Sequence, residues 1–316
     1  MVAAAQERQV YIKMKILITG AGGMLGTDLV QQLSRKHQLV GTGRRPAVHL
    51  AIPYQLNNIA FYQKAFSVVE SVKPDIILHA ASMTEVDQCE TDRRSALADN
   101  FEATRNITEA GNKVGALVIY FSTDFVFDGS KPLPYTEQDA PNPVSVYGET
   151  KLLAERFLLI KGKKFLILRT SWLFGKHGDN FPKKILKQAE AGKPIRVVAD
   201  QFGNPTYTGD LADAVEKIIE GVSSGTAATK LNQIYHVANE GVISRYEFAR
   251  AILKHGNFSQ DLLSPVSSDE INQIAQRPRN SALSTDKIGK HFGVRLRPWE
   301  AALDAYFQEE LGSVNK

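Results

Sequence analysis

Residues 15–26 read KILITGAGGMLG. A short apolar run ends in glycine, and a segment with Leu25, Leu29, Val30 and Leu33 on one helical face follows it. The first part has the texture of a buried parallel strand and the second of an amphipathic helix. The glycines at 20, 23 and 26 stand where a dinucleotide-binding turn needs them. Gly20 permits a tight exit from the strand. Gly23 lets the backbone approach a pyrophosphate, and Gly26 lets the helix pack closely on the sheet. The helix N-terminus then offers amide donors and partial positive charge to phosphates.

The same texture repeats outward from this stretch. HQLVGTG, PDIILHAAS, ALVIYFST and KFLILRTSW read as strands. IAFYQKAFSVVESVK, SALADNFEATRNITEAGNKVG and YGETKLLAERFLLIK read as the helices between them. Such alternation predicts an α/β fold, a Rossmann-type doubly wound parallel sheet. After about residue 175 the pattern loosens. FPKKILKQAEAG, DLADAVEKIIEGV, SRYEFARAILKHG and PWEAALDAYFQEEL read as helices, with PIRVV and QIYHVA strand-like among them. The expected organisation is a flexible extension over 1–13, a nucleotide-binding domain over 14–175, and a smaller, mixed substrate-binding domain over 176–316. Some elements of that last part return to the first sheet.

Composition narrows the function classes. The 316 residues carry 43% hydrophobic and 23% charged side chains, with a net charge of +4, as an ordinary globular enzyme does. No dense basic run argues for nucleic acid. The N-terminal MVAAAQERQVYIK lacks the apolar core of a signal peptide. No stretch reaches the roughly 18 apolar residues that span a membrane. The one cysteine, Cys89, excludes an internal disulfide and fits a reducing, cytoplasmic setting. The seven histidines are scattered without metal-ligand spacing.

Three further signals carry chemistry. After the second strand comes GRRP, with Gly43 where NAD-preferring sites commonly hold an acid, then Arg44 and Arg45. Arginines pair with a 2′-phosphate, so NADPH is the expected coenzyme, with NADH as the alternative. Tyr147 and Lys151 are four apart and so share a helix face. An ammonium near the phenol would lower its pKa, and the phenol could hand a proton to a carbonyl oxygen as hydride reaches the carbon. Thr123 and Asp124 end an apolar strand, where hydroxyls face the ligand crevice of open parallel sheets; Thr123 could polarise a substrate carbonyl.

Together GAGGMLG, KPDIILHAASMTEVDQCE, STDFVFDG, VYGETKLLAE, LRTSWLFG, VADQFGNPTY and RPRNS resemble, in this order and spacing, the extended short-chain dehydrogenase/reductases. Within them the chain is most similar to the dTDP-4-dehydrorhamnose reductase family. The resemblance implies reduction of the C4 ketone of dTDP-4-dehydro-L-rhamnose for cell-surface polysaccharide. It implies that Gly20, Gly23, Met24, Leu25 and Gly26 hold the pyrophosphate. Gln55 and Leu56 would lie by the adenine, and Ala80, Ala81 and Ser82 by the nicotinamide ribose. Thr123, Tyr147 and Lys151 would be catalytic, with Lys151 also binding the ribose hydroxyls. Asp124, Trp172, Asn180, Gln201 and Arg277 would meet the sugar nucleotide, Trp172 through its aromatic face and Arg277 at the diphosphate. Phe125 stands where the family often has tyrosine, and Gln276 where a second arginine is common. Some family members hold magnesium at a dimer interface; Asp28 matches one ligand, and no metal is expected here. A homodimer is compatible with this reading. The rivals are a reductase of another keto sugar nucleotide and a non-catalytic regulatory subunit of the same fold.

Overall fold

A computed structural model describes residues 12–314. Residues 1–11, most of the expected extension, lie outside the described residues.

The strands are β1 Lys15–Thr19, β2 Gln38–Gly43, β3 Tyr54–Leu56, β4 Ile76–His79, β5 Leu117–Thr123, β6 Phe165–Thr170, β7 Leu173–Phe174, β8 Ile195–Val198, β9 Phe202–Gly203, β10 Thr206–Tyr207, β11 Gln233–His236, β12 Ile243–Ser244 and β13 Leu263–Val266. The helices are α1 Met24–Leu33, α2 Tyr62–Val72, α3 Val86–Thr91, α4 Arg93–Ala96, α5 Ala103–Val114, α6 Val146–Lys161, α7 Phe181–Glu190, α8 Thr208–Ser223, α9 Arg245–His255, α10 Asp286–Phe292 and α11 Trp299–Val314. Seven strands form one parallel sheet in the order β11-β6-β5-β4-β1-β2-β3. The order reverses between β1 and β4, and the crevice beyond the strands' carboxyl ends at that point is where such sheets bind ligands.

Side chains alternate across the sheet, so both faces are apolar. Ile16 and Ile18 pack with Leu25 and Leu29 of α1 and Leu211, Val215 and Ile218 of α8. Leu17, Ile77 and Val118 pack oppositely with Val68 and Val69 of α2, Ile107 of α5 and Leu158 of α6. A third core joins Phe174, Ile185, Tyr207, Phe248, Ile252, Leu303 and Tyr306. Apart from Phe174 it belongs to the part of the chain expected to bind substrate, whereas β11 and α8 return to the large sheet.

The long helix expected over SALADNFEATRNITEAGNKVG is interrupted by a π turn, Leu97–Glu102, between α4 and α5. β3 is a strand that periodicity did not single out, because YQL is only three residues long. Among the described residues no helix is long and apolar enough to cross a membrane.

Candidate active site

Two adjoining clefts open at the carboxyl ends of the strands. The first, about 300 Å³, is lined by Gly20, Gly23, Gly43, Arg44, Arg45, Ala80, Ala81 and Ser82 among others. The second, about 810 Å³, runs from Gly20, Met24, Leu25 and Gly26 past Thr123, Tyr147 and Lys151 to Trp172, Gln201 and Arg277.

The glycine turn fits a pyrophosphate. Gly20 has φ +67° and lies so close to the loop after β4 that an added Cβ would meet Ala81 Cα at 2.8 Å. A Cβ on Gly26 would meet the Gly20 carbonyl at 2.2 Å, so α1 rests directly on the turn. Gly23 is the N-cap of α1 and brings no side chain to the first amides, and the first turn holds no acid. Those donors therefore face the cleft uncompeted, as a bound phosphate requires.

The position after β2 also fits. A Cβ on Gly43 would sit 2.4 Å from the Tyr54 hydroxyl, so an acid has no room there unless Tyr54 moves. The Arg44 fork is held by Asp99 at 2.9 and 2.8 Å. The Arg45 side chain has no hydrogen bond or ion pair among the described residues. Gln55 and Leu56, expected by the adenine, lie on β3. Gln55 turns toward Ser71 on α2, at 3.4 Å, and Leu56 is 64% exposed. Neither lines a cleft; Tyr54, Asn57, Asn58 and Ile59 do instead.

The catalytic candidates converge. Ser145 caps α6 by accepting from the Gly148 amide at 3.2 Å. A Cβ on Gly148 would meet the Phe125 carbonyl at 2.2 Å, so the helix start presses on the turn after β5. This sets Tyr147 edge-on to Phe125, with centroids 5.7 Å apart. The Thr123 hydroxyl donates to Asp124 at 3.0 Å and lies near enough to the Tyr147 phenol to favour its charged form. Lys151 is buried and donates to the Phe121 carbonyl at 2.6 Å, its ammonium 4.2 Å from the Tyr120 ring centroid.

The electrostatics differ from the expectation that Lys151 would lower the Tyr147 pKa. Burial pushes the phenol well above its usual value, Thr123 opposes this, and Asp124 adds to it. Burial pulls Lys151 down to about 7, against the pull of Glu155. Glu155 in turn is locked in a buried ion pair with Arg169 at 2.6 Å. The lysine is spent on a carbonyl and a ring, so the phenol stays neutral and keeps its proton. Burial holds Asp124 up at about 6 despite Ser281, Thr123 and Arg245.

On the substrate side, Asn180 is buried and used internally. It caps α7 and donates to the Gly175 carbonyl at 2.6 Å and to Met24 Sδ at 3.7 Å, just behind the wall of the second cleft that Met24, Asp179 and Phe181 line. Gln201 lines the cleft and donates to Ser268 at 3.1 Å. Arg277 lines it with its fork taken by Asp87, at 3.1 and 3.0 Å. Trp172 has φ +45°. Trp172 lines the second cleft, and the Arg245 guanidinium stacks on its ring, 3.5 Å from the centroid. A Cβ on Gly203 would stand 2.5 Å from Trp172 Cε2.

Sequence reasoning passed over Asn100 and Arg245. Asn100 lies in the π turn, which often marks a functional position. It accepts from Ser82 Oγ and the Met83 amide, each at 2.8 Å, and donates to Thr150 Oγ1 at 3.0 Å. One side chain thus ties the loop after β4 to the helix bearing Tyr147 and Lys151.

A parallel sheet with a glycine cradle at its switch point, and a tyrosine–lysine helix beside it, defines a nicotinamide-dependent oxidoreductase of the extended short-chain dehydrogenase/reductase class. Residues 14–311 match the RmlD substrate binding domain model, and the chain belongs to that family. It is 37% identical over 294 residues to the dTDP-4-dehydrorhamnose reductase of Aggregatibacter actinomycetemcomitans, covering 92% of this chain and 97% of the relative. It is also 37% identical over 295 residues to the spore coat polysaccharide biosynthesis protein SpsK of Bacillus subtilis, covering 93% and 97%. The dTDP-4-dehydrorhamnose reductase of Bacillus anthracis, solved in complex with NADP, superposes with a TM-score of 0.85 at 34% identity, covering 94% of this chain and all of that one.

Proposed function

We propose that the chain reduces the C4 ketone of dTDP-4-dehydro-L-rhamnose to give dTDP-L-rhamnose, with NADPH as coenzyme. The observation that carries this is the meeting of Thr123, Tyr147 and Lys151 beside the glycine cradle, in a chain so similar to known reductases over nearly its whole length.

Bound NADPH would supply the hydride. Gly20, Gly23 and the first amides of α1 would hold its pyrophosphate, and Ala80, Ala81 and Ser82 its nicotinamide ribose. Arg45 would take the 2′-phosphate, with Arg44 fixed beside it by Asp99. Tyr147 keeps its proton until negative charge develops on the ketone oxygen, then donates it. Thr123 steadies the phenol and polarises the carbonyl. Lys151 would turn from the Phe121 carbonyl to the ribose hydroxyls.

A cytoplasmic location fits the buried, unpaired Cys89. A homodimer is proposed as the assembly, to be checked by light scattering on an eluting column peak.

The test follows 340 nm absorbance with purified protein, each coenzyme, and a panel of dTDP-, UDP- and GDP-linked keto sugars. Fast NADPH oxidation with dTDP-4-dehydro-L-rhamnose is expected. No oxidation with that substrate would defeat the assignment, and a clear preference for NADH would defeat the role given to Arg45.

A further inference from the structure

The second cleft is lined by five cationic side chains, and four of them are engaged. Lys151 donates to the Phe121 carbonyl. Lys184 pairs with Asp179 at 3.3 Å, Arg196 with Glu270 at 3.8 Å and Arg277 with Asp87 at 3.0 Å. Arg245 has no hydrogen bond or ion pair to its guanidinium among the described residues. It is enclosed by aromatic surface, 3.5 Å from the Trp172 centroid and 5.2 Å from that of Phe181.

Its position is fixed. Ser244 caps α9 by accepting from the Glu247 amide at 3.1 Å, and the Arg245 amide donates to the Gln201 carbonyl at 3.0 Å. Stacking on an indole steadies a guanidinium in place and leaves its in-plane N–H donors open. Asp124 acts on the half-buried guanidinium through space but makes no ion pair with it, so the N–H donors are left for an arriving anion to accept from directly.

We infer that Arg245 is the substrate-side anchor for the diphosphate of the sugar nucleotide. The proposal rests on the reading of this site as one for a nucleotide sugar. In that substrate class the diphosphate is the ionised group, and its oxygens match a guanidinium fork. Trp172 then acts as the platform that aims Arg245, and the sugar meets the guanidinium rather than the indole face. Arg277, already satisfied by Asp87, contributes less.

The experiment is calorimetric titration of NADPH-loaded protein with dTDP and with thymidine, for wild type, Arg245→Gln and Arg245→Lys. Gln keeps a planar group over Trp172 but loses the charge. It should weaken dTDP binding roughly 30- to 100-fold and leave thymidine within about twofold, since only the diphosphate contact is lost. Lys keeps charge without the fork and should weaken dTDP roughly tenfold. The KM for the keto sugar should rise in parallel, with kcat falling less. Unchanged NADPH affinity establishes that a variant is folded; if the Gln variant fails that check, the Lys variant decides. Wild-type dTDP affinity in the deciding variant, or equal losses for dTDP and thymidine, would overturn the anchor. Wild type that binds dTDP tightly yet reduces no ketone would sink the proposed activity while leaving the anchor standing. Wild type that binds none of dTDP, UDP and GDP would overturn both.

Discussion

Tyr147 keeps its proton because the desolvation of its site disfavours the phenolate more than Thr123 favours it. Removing only the hydroxyl should therefore remove the acid and little else. Tyr147→Phe is expected to lose roughly 100-fold or more of turnover, the scale of a positioned general acid, with NADPH fluorescence titration unchanged. Full activity would remove the tyrosine from the mechanism. Asp124 makes the complementary case. Its pKa in the folded protein is about 6, above an ordinary 3.8, because burial disfavours the charge and one oxygen has no hydrogen-bond partner. Above pH 6 the folded state thus carries an ionised group that the unfolded chain holds more easily. As pH falls through 6 toward 4, the folded protein takes up a proton before the unfolded chain does, and the penalty fades. At neutral pH it amounts to about 3 kcal/mol, the free-energy equivalent of moving the pKa from 3.8 to about 6. Asp124→Asn should melt higher than wild type at pH 8, with the gap closing by pH 4. Melting curves with the same gap at both pH values would contradict this.

At the scale of elements, α1 is seated by contact with its own turn. An Ala at position 26 would place Cβ 2.2 Å from the Gly20 carbonyl and 2.7 Å from Ala21 Cα, backbone atoms that cannot swing aside. Gly26→Ala should destabilise by about 1–3 kcal/mol, as overpacking does. It should also weaken NADPH binding, because the helix amides shift from the pyrophosphate; a melt and a coenzyme titration check both. This seat was legible in KILITGAGGMLG, since strand, glycine spacing and helical face all lie within twelve consecutive residues. The tyrosine–lysine pair was legible for the same reason. Helical spacing assigns a face, however, and says nothing of depth. Lys151 therefore proved to be buried with its ammonium on the Phe121 carbonyl, a depth that spacing alone does not give. β3 escaped notice because three residues carry no period. Asn100 was hidden in a π turn, whose register a regular helical period does not describe. Arg245 meets Trp172 only through tertiary packing, so no local pattern joins them.

The division of the whole molecule at about residue 175 remains a proposal. The packing makes the two parts unequal in independence. α8, from beyond that boundary, covers α1 with Leu211, Val215, Ile218 and Ile219, all within one core that also holds Ile16 and Leu29. β11, also from beyond it, pairs with β6 along Gln233–His236. A chain ending at residue 175 would lose both. The apolar face of α1 would meet water, and β6 would become an open edge with unpaired amides, a template for self-association. Each large aliphatic side chain so exposed forfeits about 1.5–3 kcal/mol. Four on α8's counterpart surface would match the whole stability of a typical domain. Residues 1–175 expressed alone are therefore expected to elute as aggregate, melt without a cooperative transition and fail to bind NADPH. Extending the fragment through His236 should restore the missing strand and helix, and with them part of the solubility. A monomeric 1–175 fragment that binds NADPH and melts sharply would mean that the nucleotide-binding part folds without its C-terminal cover.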